Sequence, residues 1–89
     1  MLDLNATLAE RGARYGKFTD HALITQDLKR VIQLHTPGGL DDDMLEALEM
    51  IAHKIGRILA GDPHYADSWL DIAGYAQLVA NRLSGEGVQ

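Results

Sequence analysis

The sequence predicts an all-α fold, a small antiparallel bundle of three principal helices with a short helix in front of them. Three observations predict it. Apolar residues recur at steps of three and four along most of the chain, which places them on one face of a 3.6-residue helix. No segment sustains the apolar–polar alternation of a half-buried strand. Gly, Pro and Asp gather at a few positions and cut the chain into helix-length pieces. The 89 residues, 46% of them hydrophobic, form one domain, 1–89, with enough apolar surface for a packed core. A chain this short buries only a modest fraction of its surface. Completion of the core by a second copy, as a homodimer or higher symmetric oligomer, is therefore expected.

The elements follow in order. From Leu2 to Arg11, Leu4, Leu8 and Ala9 sit at helical spacing, and Gly12 is expected to end this short helix. Gly12 to Phe18, rich in Gly and basic residues, reads as a structured loop. The first principal helix spans 19–35, with Thr19 as N-cap, Asp20 in the first turn, and Ile24, Leu28, Val31 and Ile32 as its apolar face. Thr36-Pro37-Gly38-Gly39 stops it. The second spans 42–60 and opens on Asp41-Asp42-Asp43, whose charge suits a helix N-terminus. Met44, Leu48, Ile51, Ile55 and Ile58 form its main stripe, widened by Leu45, Ala52 and Leu59. After Gly61, Asp62 as N-cap and Pro63 at the first helical position start the third, 63–83. Tyr65, Trp69, Ile72, Ala76, Val79 and Leu83 line its apolar side, so Tyr65 and Trp69 are expected in the core. The short link makes these two helices antiparallel neighbours. Residues 84–89 read as a frayed tail.

A formal net charge of −5 opposes non-specific adhesion to nucleic acid or to an anionic membrane. It is compatible with a small phosphorylated ligand held by a local basic cluster or a metal. The chain has no cysteine, which removes thiolate and zinc-ribbon chemistry and favours a reducing compartment. No apolar run approaches the roughly 20 residues needed to span a bilayer, and Met1 to Arg11 lacks the apolar core of a signal peptide. A cytoplasmic protein without a membrane partner is expected.

Two regions carry residues suited to chemistry. On the second principal helix Glu46, Glu49, His53 and Arg57 share a stripe opposite the apolar one. On the third, Asp67 and Asp71 share a face that Gly74 and Leu78 continue. Acids one turn apart are ordinary on a solvated face. Crowded carboxylates are also suitable ligands for Mg²⁺ or Mn²⁺. Gly74, in mid-helix at a cost of about 1 kcal/mol relative to Ala, suits close approach by a helix or ligand. The second region is Arg11 to Phe18, where glycine amides and the three cations Arg11, Arg14 and Lys17 suit an anion, and Tyr15 or Phe18 a base. Its other reading is a turn whose aromatics plug the bundle. It is not a phosphate-binding P-loop, because the required Gly and Lys spacing is missing. The histidines His21, His35, His53 and His64 lack zinc-site spacing. His53 lies four residues after Glu49, as a surface pair would.

The stretch from Glu46 to Tyr75, with Arg14-Tyr15-Gly16-x-Phe18 upstream, resembles a family of short phage and prophage proteins of mostly unassigned function. That family in turn looks distantly like the all-α NTP pyrophosphohydrolases of the MazG and dimeric dUTPase type, which bind Mg²⁺ through an E-x-x-E pair on one helix and an E-x-x-D pair on the next. Glu46-x-x-Glu49 matches the first pair. Asp67-x-x-x-Asp71 approximates the second, with Asp for Glu and a spacing of four. The resemblance implies Mg²⁺ (or Mn²⁺) held by Glu46, Glu49, Asp67 and Asp71, and water attack on a nucleoside triphosphate bound by Arg14, Tyr15, Lys17, Lys54 and Arg57. Lys54 and Arg57 also read as a solvated face with charge favourable to a helix C-terminus. Two further functions fit the sequence. One is a non-catalytic module that sequesters a host nucleotide or nucleotide signal. The other is a structural helical interaction module.

Overall fold

The computed structural model describes residues 3–36 and 38–85. The expectations placed on Leu2, on Pro37 and on the tail beyond Gly85 fall wholly or partly outside the described residues. Four helices follow one another: α1 (Leu4–Tyr15), α2 (Phe18–His35), α3 (Asp42–Ala60) and α4 (Ala66–Ser84). Among the described residues there is no strand, as the all-α reading expected.

Three boundaries differ from the expectation. Helix α1 runs through Gly12 and absorbs most of the anticipated loop, because one internal glycine costs only about 1 kcal/mol and Leu8, Ala9, Arg11, Ala13 and Arg14 around it favour helix. It opens under a cap from Asp3, whose carboxylate accepts the amides of Asn5 and Ala6 at 3.0 and 3.3 Å. It stops at Gly16, where φ is +78°. Helix α2 starts at Phe18, with Lys17 rather than Thr19 at the cap and no side-chain capping bond. Helix α4 begins at Ala66, not Pro63. The Asp62 carboxylate accepts the His64 amide at 2.9 Å and caps a tight turn instead of the helix. Helix α3 has the bounds its Asp41–Asp43 start and Gly61 end suggested.

Helix α3 is the centre of the fold. Helices α2 and α4 both pack on it and do not touch each other, while α1 lies against α3 and α2. Gly56 is a point of contact with α2: a Cβ there would overlap the Thr25 hydroxyl and stand 2.6 Å from Cδ2 of His21. Lys54 makes a contact with α4, its Nζ 2.9 Å from an Asp71 carboxylate oxygen. Two residues on a helix are separated by about 200°, so α2 and α4 grip α3 from nearly opposite sides. A quarter turn away, one side of α3 carries Glu46, His53 and Arg57. The other carries Met44, Leu48, Ile51, Ile55 and Leu59.

The expected core is therefore misplaced. The buried apolar residues are Ala47, Ala52 and Ile58 on the two gripped sides of α3. Leu48 and Leu59, expected inside, are 41% and 66% exposed. Trp69 is 54% exposed, held by donation from its indole Nε1 to the Pro63 carbonyl at 2.8 Å. Phe18 plugs nothing, at 78% exposed. Periodicity identified the apolar stripe of α3 but not where its neighbours would sit on it.

Candidate functional site

A cleft of about 450 Å³ opens where α1 and the start of α2 meet the C-terminal half of α3. Its frame is a backbone clasp. A Cβ at Gly16 would overlap the Ala60 carbonyl, and one at Gly61 would overlap the Arg14 carbonyl. The Asp62 amide donates to that Arg14 carbonyl at 2.8 Å. Only glycine at positions 16 and 61 permits this approach, and only glycine adopts the φ of Gly16 without strain. The clasp fixes the end of α1 beside the end of α3 and turns the chain at once into α2.

The side chains then fall into place. Helix α1 contributes Leu8, Arg11 and Tyr15, the turn and α2 contribute Lys17, Phe18 and His21, and α3 contributes His53 and Arg57. The Arg57 guanidinium lies 4.2 Å from the Tyr15 ring centroid and that of Arg11 lies 5.4 Å from the same ring. Arg14 stacks beside the cleft on Tyr65 at 4.7 Å, and Tyr65 meets Tyr15 edge-on at 5.9 Å. Stacking of this kind orients a guanidinium through its face and leaves its N–H edge free for an acceptor. None of Arg11, Arg14, Lys17 and Arg57 has a carboxylate partner among the described residues, whereas Arg30, Lys54 and Arg82 all do.

Two histidines form the floor. His21 is buried, its ring 4.5 Å from that of His53 and its Nε2 3.1 Å from the His53 carbonyl. Nε2 donates in this bond, which leaves Nδ1 as the acceptor of a neutral ring. Burial pushes the His21 pKa below its ordinary value, and Arg57 and Lys54 add to that, against the opposing hydrogen bond. Burial, then Arg57, His21, Lys54 and Lys29, bring His53 down to about 4. Both rings are neutral at pH 7, and the permanent charge of the cleft is carried by Arg11, Lys17 and Arg57.

Of the residues expected to bind a phosphorylated ligand, Tyr15, Lys17 and Arg57 meet at this cleft and Arg14 borders it. Lys54 does not. It is buried between α3 and α4 in its pair with Asp71, neither solvated nor free for phosphate. Arg11, one of the three cations expected at an anion site, lines it too, and His21 was missed. The signal for His21 was its spacing with Thr25, Leu28 and Ile32, which puts it on the side of α2 that meets α3. His53 meets His21 rather than forming a surface pair with Glu49.

The four carboxylates are arranged otherwise than a metal centre needs. Glu46 is exposed and Glu49 half-buried. Asp71 is engaged by Lys54, and Asp67 accepts the Tyr65 hydroxyl at 2.9 Å. That bond raises the Tyr65 pKa and keeps its phenol protonated. Among the described residues no group of three or more His, Asp or Glu side chains is placed to hold a metal ion. With an ammonium already beside Asp71, this donor set does not fit a divalent cation within one chain. Gly74 has open space where its Cβ would be, so no described helix comes close to it there.

No family model, curated protein or solved structure matches the chain. No described helix is long and apolar enough to cross a membrane.

Proposed function

We propose that this chain binds a small anion bearing a flat ring, of the nucleotide class, in the cleft between α1, α2 and α3, and releases it unchanged. One observation carries this reading. In a chain with net charge −5, four of the five cations without a carboxylate partner among the described residues, Arg11, Arg14, Lys17 and Arg57, gather at or beside a single cleft lined by Tyr15, Phe18 and two neutral histidines, Lys29 being the fifth. Guanidinium groups fixed by stacking bind phosphate through paired N–H donors, and aromatic rings stack on a base. Hydrolysis of a nucleoside triphosphate, the activity implied by the resemblance, requires carboxylates gathered on Mg²⁺. Lys54 holds Asp71 instead, and this favours binding over cleavage.

Calorimetric titration with AMP, ATP, cyclic AMP and inorganic phosphate, with and without Mg²⁺, tests the proposal. Saturable binding of a nucleotide, recovery of that nucleotide intact, and at least roughly tenfold weaker binding by Arg57→Ala (about 1.4 kcal/mol) are the expected results. No binding of any of them by the folded chain would remove the reading. Release of pyrophosphate that depends on Mg²⁺ and stops in Glu49→Gln would restore the hydrolase in its place.

A further inference from the structure

The side of α3 facing away from the cleft carries a second inference, independent of the first. Met44, Leu48, Ile51, Ile55 and Leu59 make it wholly apolar, with Leu48 and Leu59 exposed and the other three half-buried. The flanks extend it: Leu83 and Trp69 on α4 and Val31 on α2 are 61%, 54% and 57% exposed. At the α3–α4 seam this side sinks into an apolar groove of about 340 Å³ lined by Met44, Leu48, Ala76 and Leu83.

We propose that a second copy of this chain covers this face, giving a homodimer related by a twofold axis. Three observations select that occupant. The chain exposes 6345 Å², against about 5,200 Å² expected for a compact monomer of its 9.8 kDa mass. The difference exceeds the roughly 800 Å² that each partner contributes to a standard interface. The core within one chain is thin: three buried apolar residues and no fully buried side chain among those described. The α3 stripe bears no charge, while Glu46, Glu49 and Asp71 lie outside it. Two chains of net charge −5 therefore meet through this face without opposing acids at its centre, and the same patch serves both copies, as an isologous contact requires.

Sedimentation equilibrium of the full chain across micromolar concentrations tests this. The expected mass is twice 9.8 kDa. Leu48→Glu and, separately, Leu48→Lys should each give a monomer, with Trp69 emission shifted to the red. Mixing the two should restore the dimer, which separates a broken interface from a broken fold. A wild-type chain that stays monomeric with a concentration-independent melting temperature overturns the proposal. So does a dimer that survives Leu48→Glu unchanged.

Discussion

The two sides of the chain's charged architecture use the same residue types in opposite ways. Along the α3–α4 seam every cation is matched. Lys54 is buried against Asp71, and Arg82 bridges Asp41 and Asp43, reaching Asp41 at 2.9 Å. Around the α1–α2–α3 cleft, Arg11 and Arg57 lie over the Tyr15 ring, and neither they nor Lys17 has an acid partner among the described residues. A matched pair is satisfied by the fold and has little left for a ligand. A stacked, unmatched guanidinium is oriented but still has acceptors to gain. The difference teaches that the location of a charge in this chain matters less for function than whether the fold has already answered it.

The largest expected effect comes from breaking the frame of the cleft alone. Gly16→Ala puts a side chain at φ +78°, ψ −170°, a region essentially confined to glycine, at roughly 1–3 kcal/mol, and drives its Cβ into the Ala60 carbonyl. A loss of roughly 2–4 kcal/mol in urea unfolding, with loss of nucleotide binding, is expected. Normal stability and binding in this variant would mean that the clasp does not frame the cleft.

The seam is tested by unequal halves of one pair. Asp71→Ala leaves the Lys54 ammonium, 11% exposed at its side chain, without a partner. A cost of roughly 1–3 kcal/mol follows, limited because Asp71 is itself half-exposed. Lys54→Met keeps the packed stem and should change stability by less than about 1 kcal/mol. Equal losses in the two variants, read by urea unfolding, would contradict the view that the ammonium needs its answer.

The smallest effect, and the one that sharpens the comparison, is pH. His21 and His53 are neutral in the folded chain and would protonate sooner when unfolded. Between the ordinary value of 6.5 and about 4, the unfolded state binds more protons, so stability falls as pH falls through that window. Asp43 behaves differently. Arg82 holds its carboxyl below the ordinary 3.8, so its contribution is retained above that value and lost only in stronger acid. Unfolding midpoints measured from pH 7 to 4.5 should slope in the wild type and slope less in His53→Gln, where only His21 remains. A flat wild-type profile would place the two rings in solvent.

Part of this was legible from residues alone. Helix α3 could be bounded because Asp41–Asp43 and Gly61 are local signals whose meaning does not depend on neighbours. Gly12 and Gly16 look alike in sequence, yet only Gly16 turns to positive φ, and it does so against the Ala60 carbonyl, which lies far along the chain. Asp62-Pro63 satisfied the rule for a helix start but capped a turn. Tyr15, Lys17 and Arg57 were foreseen as ligand-binding residues and meet at one cleft. Lys54 was foreseen with them and points elsewhere. Periodicity tells which residues share a side of their own helix, not which helix will lie against that side.

Helix α1 contributes no buried residue to the fold, and the clasp at Gly16 and Gly61 carries much of its attachment. On the proposed reading, a nucleotide gripped by Arg11 and Arg57 at once is a tether between the first helix and the third. Occupancy and docking of α1 then form a single equilibrium. Apparent affinity is discounted by whatever it costs to seat that helix, and a change that loosens it weakens binding with every contacting side chain intact.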